Sequence, residues 1–115
     1  MNQKTFYGTS VFPGLARGPA RVVMSRVDLV KVKNGDILIV DRATPLYASV
    51  FPKIKGLVVG EGSKLSHALV LAREYKLPCV LGIKEIFDKV KDGDKIEVDG
   101  EQGSVQFYKI TANNN

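Results

Sequence analysis

Histidine and cysteine are almost missing from this chain of 115 residues, which holds one of each, His67 and Cys79. A lone cysteine builds no disulfide framework, and with a single histidine it supplies no ligand cluster, so no metal is expected. Long apolar runs are missing as well. Nothing approaches the roughly 20 residues that cross a bilayer, and the opening MNQKTFYGTS has no apolar signal-peptide stretch. No membrane association and a cytoplasmic location are therefore the expectations. No repeat, low-complexity tract or linker divides the chain either. One domain over residues 1–110 is expected, with 111–115, the end of ITANNN, as a disordered tail.

What is present is an ordinary globular composition, 44% hydrophobic and 25% charged. The length allows a real core without disulfides. A net charge of +5 raises the question of nucleic acid. The basic residues, however, are interleaved with acids, as in KVKNGD, KEIFDKVKDGDK and DRATP. Nucleic-acid modules gather basic charge on one stripe with aromatics between. No nucleic-acid partner is expected.

β-branched runs bounded by Gly and Pro mark strands at ARVVMS (20–25), GDILIVD (35–41), GLVVG (56–60) and CVLG. Between the first two, RVDLVKVKNG alternates apolar and polar residues and ends in an Asn-Gly turn signal. A short helix is expected after Thr44, interrupted by Pro52. SHALVLAREYK has the propensity for a helix of about eleven residues, with Ser63 or Ser66 as N-cap and Leu77-Pro78 as its stop. IKEIFDKV places Ile83, Ile86, Phe87 and Val90 on one helix face. KIEVDGEQGSVQFYKI reads as a hairpin with Ile96 and Val98 opposite Val105 and Phe107. Strands alternate with helices in the middle and β-hairpins close both ends. The expected class is α/β, with a sheet of partly buried parallel strands and a second, antiparallel β layer.

The single histidine stands in GSKLSHALVLAR, residues 62–73. In the first turn of a helix it meets amides with no intrahelical partner and the positive pole of the macrodipole. That setting suits a neutral imidazole as nucleophile and an anionic group bound to it, with Gly62, Ser63 and Ser66 as phosphate-binding neighbours. A protease-like arrangement needs an acid to orient the ring, and none is local. The structural alternative is a histidine that caps the helix or fills the edge of the core.

Across Gly62–Gly82, GSKLSHALVLAREYKLPCVLG resembles the phosphohistidine segment of the phosphoenolpyruvate-utilising enzymes. VFPGLARGPARVV, GDILIVDRATP and VKDGDKIEVDGEQGSV recur in the same order in the mobile, or swivelling, domain of phosphoenolpyruvate synthase, pyruvate phosphate dikinase and the rifampicin phosphotransferases. The resemblance covers nearly the whole chain. It implies a swivelling β/β/α fold with a mixed sheet, an antiparallel β layer and a helix layer. It also implies that His67 is phosphorylated and carries the group between two partners. One is an ATP-grasp domain or subunit that takes ATP and Mg²⁺. The other is a domain or subunit that binds pyruvate or another acceptor. No nucleotide fingerprint or Mg²⁺ carboxylate cluster is visible here, so no cofactor is expected on this chain. A phosphotransferase component without turnover of its own is expected, the alternative being a non-catalytic module that keeps only the fold. Two departures stand out. Ser63 replaces the second glycine often found in the loop. Leu65 stands where some dikinases carry a regulatory threonine, so that regulation is not expected to carry over.

Thr44 lies where the family places a strand-end threonine near the phosphohistidine, and either contacts the phosphoryl group or caps a helix. Ser66 is expected as a helix cap whose hydroxyl also serves as a phosphate ligand. Arg73 matches the family's Ala-Arg but lies about 9 Å along the helix from His67 and on another face, so a supporting ion pair to a neighbouring loop is expected. Cys79 is expected in the core and Lys64 in solvent.

Overall fold

Ile37–Val40 and Gly56–Val59 are buried at every position, the signature of strands covered on both faces. The computed structural model describes residues 2–61 and 67–109 and shows what covers them. Eight strands, β1 (Asn2–Tyr7), β2 (Thr9–Phe12), β3 (Leu15–Val23), β4 (Ile37–Val40), β5 (Gly56–Val59), β6 (Cys79–Leu81), β7 (Lys95–Asp99) and β8 (Ser104–Lys109), follow the order β1-β8-β7-β3-β4-β5-β6-β2. The helices are α1 (His67–Tyr75) and the single turn α2 (Ile86–Lys89). Two 3₁₀ segments, Arg26–Lys31 and Pro45–Lys53, complete the connections.

β3 belongs to two layers. Leu15–Pro19 pairs antiparallel with β7, and Ala20–Val23 then pairs parallel with β4. The antiparallel layer is β1-β8-β7-β3. The other is the parallel run β3-β4-β5-β6, bordered by β2, which is antiparallel to β6. Strand alternation sorts the core between them. Ile37, Ile39, Val58 and Val80 meet Ile96, Val98, Val105 and Phe107 of the antiparallel layer. Leu38, Val40, Leu57, Val59, Cys79 and Leu81 turn the other way, to Val50, Phe51, Leu71 and Ala72 of the helical layer. The result is the β/β/α swivelling architecture.

β7 and β8 form the expected hairpin, with Ile96 opposite Phe107 and Val98 opposite Val105. No hairpin closes the amino-terminal end. β1 pairs with β8 and β2 with β6, because only Gly8 separates β1 from β2 and a hairpin turn needs about two residues. Gly8 donates instead to the Gly103 carbonyl at 2.8 Å, and a Cβ there would lie 2.1 Å from the Leu81 carbonyl oxygen.

The alternating stretch after β3 does not extend the sheet. It forms the 3₁₀ crossover 26–31, pinned by the Asp28 carboxylate accepting from the Met24 amide at 2.8 Å. Pro52 lies inside the second 3₁₀ segment, next to its last residue, and does not end it. Ile83, Ile86 and Val90 are buried as the helical pattern requires, but only one turn forms. The chain after it must turn at 91–94 to cover the free edge of β3. There Gly93 donates to Ala20, Ala20 donates to the Asp94 carbonyl, and the Asp92 side chain accepts from the Val22 amide at 2.7 Å. The expected boundary between residues 110 and 111 lies outside the described residues.

Candidate functional site

Strands that run parallel end together, and open α/β sheets place their sites at that carboxyl edge. The exit of β4, residues 41–44, and the exit of β5, residues 60–61, lie side by side there. Gly60 donates to the Val40 carbonyl and Glu61 to the Asp41 carbonyl, each at 2.9 Å, so pairing continues two residues beyond the strands.

α1 starts at this edge with His67 and packs back over the parallel layer against β2 and segment 45–53. Leu71 and Ala72 are buried, and Val70 is 58% exposed on the other side. His67 stands one turn ahead of Leu71 on nearly the same helix face, about 6 Å nearer the helix start. At that position it is exposed. The far end is closed by a Schellman arrangement: Leu77 donates to Ala72, Lys76 donates to Arg73, and Lys76 has φ 54°. Tyr75 rests on Phe51 with ring centroids 5.6 Å apart. The helix that presents His67 is therefore anchored through its second and third turns.

Thr44 is half-buried and caps segment 45–53, its Oγ1 accepting from the Leu46 amide at 3.2 Å. The cap uses an oxygen lone pair and leaves the hydroxyl proton to donate. Segments 45–53 and α1 both follow parallel strands and fold back over one sheet face, so Thr44 and His67 start neighbouring segments at one edge. Gly62, Ser63 and Ser66, with Lys64 and Leu65, lie outside the described residues. Arg73 is exposed, and among the described residues no carboxylate lies within ion-pair distance of it. Cys79 is fully buried, and burial pushes its thiol up to about 12. Among the described residues no three His, Cys, Asp or Glu side chains gather as a metal site.

One pair at this edge escaped the sequence reading. Arg42 Nη2 lies 3.1 Å from Glu61 Oε2, across the β4–β5 boundary. Arg42 stands in GDILIVDRATP, and Glu61 is the single residue between GLVVG (56–60) and GSKLSHALVLAR (62–73). Nineteen positions separate them, and only the pairing of adjacent parallel strands brings them together.

Residues 32–103 match the family described as PEP-utilising enzyme, mobile domain. The chain belongs to this family. Similar curated proteins include an uncharacterised phosphotransferase of Bacillus subtilis, 35% identical over 86% of this chain, and the rifampicin phosphotransferase of the same organism, 37% identical over 88%. The phosphoenolpyruvate synthase of Pyrococcus furiosus is 36% identical over 85% of this chain. The match spans only 12% of the length of each of these three relatives. Among solved structures, an NMR structure of Enzyme I has a TM-score of 0.61 at 26% identity, covering 73% of this chain and 35% of that one. The aconitase X of Thermococcus kodakaraensis reaches a TM-score of 0.71 at 22% identity over 92% of this chain and 99% of its own, a likeness of fold alone. This layered architecture is thus shared with both of these structures. No helix among the described residues is long and apolar enough to cross a membrane.

Proposed function

We propose that this domain is a phosphoryl carrier whose working group is His67. The observation that carries the reading is the placement of the chain's one imidazole: exposed, at the first residue of an anchored helix, at the carboxyl edge of the parallel layer. A ring nitrogen attacks the phosphorus of the donor. A P–N bond forms as the donor's P–O bond breaks, and the imidazole proton passes to solvent. The helix start and residues Gly62, Ser63 and Ser66 receive the phosphoryl oxygens, with the Thr44 hydroxyl as a further donor.

Donor and acceptor sites are assigned to other domains or subunits. An ATP-grasp unit holds ATP and Mg²⁺, and a second unit holds pyruvate or another acceptor. The phosphohistidine domain itself occupies residues 1–110 in this reading. The test is intact-mass spectrometry at neutral pH after incubation with ATP, Mg²⁺ and an ATP-grasp partner. About 80 Da should be added, lost on acidification and absent from His67→Ala. An adduct that survives acid, or persists in His67→Ala, overturns the assignment. No adduct at all with an active partner leaves a module that keeps only the fold.

A further inference from the structure

Arg42 stands outside every role given so far, and the backbone that carries it is held on both sides. Asp41 accepts the Glu61 amide at 2.9 Å, Ala43 is buried, and Thr44 caps the next segment. The guanidinium, 64% exposed, reaches across to the Glu61 carboxylate at 3.1 Å. Glu61 is the last described residue before His67, six positions ahead of it. β4 and β5 are parallel neighbours, and the segments that follow them fold back over one face. Arg42, Glu61 and His67 therefore share one edge.

That edge already carries two carboxylates, Asp41 and Glu61. A phosphoryl group on His67 adds between one and two further negative charges at neutral pH. Glu61 opposes that addition. A guanidinium favours it, because its planar fork suits phosphoryl oxygens as well as a carboxylate. Other arginines are less well placed: Arg26 follows β3, one strand further away, and Arg73 lies about 9 Å along α1.

We infer that Arg42 is a phosphoryl-binding residue that changes partners, neutralising Glu61 while His67 is free and turning to the phosphoryl oxygens once His67 carries them. The inference rests on the carrier reading of His67. It is tested without a protein partner. Phosphoramidate gives its phosphoryl group to an imidazole nitrogen and releases ammonia. The pH midpoint of the phosphohistidine's ³¹P resonance then reports its charge surroundings. Arg42→Gln should raise that midpoint by about half a unit, the part of a close charge pair left after solvent screening. Arg42→Lys should fall between Arg42→Gln and the unsubstituted chain. Glu61→Gln should lower the midpoint, because it removes a repelling charge and frees Arg42. Opposite signs follow from charge alone, so Arg42→Lys decides contact: it keeps the charge and loses the planar fork, and a midpoint equal to that of the unsubstituted chain would leave Arg42 a bystander charge and overturn the inference. Equal midpoints, or shifts of the same sign, overturn the inference alone. An unsubstituted chain that takes no phosphoryl group on His67 overturns the carrier reading and this inference with it.

Discussion

Removing the Asp36 carboxylate is the sharpest test of how the site is supported. Asp36 directly precedes β4, whose exit carries Arg42 and Thr44. Its Oδ2 accepts from Arg21 Nε at 2.9 Å and from the Lys33 amide at 2.8 Å. The pair is largely dry, with side-chain exposures of 16% for Arg21 and 2% for Asp36. Asp36→Ala removes one charge-assisted bond and one amide bond, and leaves a guanidinium short of its main partner. Breaking a buried pair from one side costs about 3–5 kcal/mol. Arg21 keeps some solvent and the Asp92 carboxylate at 3.7 Å, which reduces the expected loss to about 2–4 kcal/mol. Against a total of about 5–15 kcal/mol this is a large fraction. In urea unfolding followed by far-UV circular dichroism, the midpoint should fall by about 1–2 M. Arg17→Met is the control. It opens the Arg17–Glu97 contact at 3.5 Å, in which Arg17 is 69% exposed, and should cost less than about 0.5 kcal/mol. An Asp36→Ala loss no larger than that of Arg17→Met would refute the reasoning.

Two further expectations concern the charged crossover and the end of α1. The Met24 amide, above all, holds the Asp28 carboxyl below its ordinary 3.8. Burial raises Asp92, but the Val22 amide, Lys31 and Arg21 outweigh it and hold that carboxyl below 3.8 as well. Lys31 is raised above 10.5, chiefly by its bond to Asp92. Each carboxylate therefore stabilises the fold above its unfolded value, and that contribution is lost as pH falls through the lowered value, below about pH 4. The Lys31 contribution is complete below 10.5 and lost as pH rises through its raised value. Lys31→Met should move both carboxyl midpoints upward in an NMR titration. Asp28 should keep the larger part of its shift, because the Met24 amide remains; midpoints that do not move would sink this account. Lys76, a non-glycine residue at φ 54° closing α1, occupies a position where glycine escapes a steric cost of about 1 kcal/mol. Lys76→Gly should raise stability by up to that amount in thermal or urea unfolding, and a loss would show that the lysine side chain contributes more than its backbone strain costs.

Where burial follows a short period, the sequence was readable. The runs at 37–40 and 56–59, the pattern Ile96-Val98 against Val105-Phe107, and the helix carrying Leu71 and Ala72 all depend on residues close in the chain. The amino-terminal strands were not readable in this way. β1 and β2 find partners about a hundred and about seventy positions away, and nothing local in MNQKTFYGTSVF says so. The alternation of RVDLVKVKNG is strand-like in isolation, yet two parallel neighbours need a crossover between them and the stretch becomes one. At the site, His67 and Thr44 were visible as residue types beside helix starts. Arg42 and Glu61 were not visible as a pair, since only strand pairing makes them neighbours.

Taken by itself, the order of residues determined the central strands and the carboxy-terminal hairpin, the family resemblance and the singular position of the imidazole, because each is written in local pattern. The fold alone decided which face each core residue takes, that β3 serves two sheets, and that Arg42 meets Glu61 beside the approach to His67. Those outcomes depend on contacts between segments far apart in the chain, and a contact of that kind exists only once the layers have closed on one another.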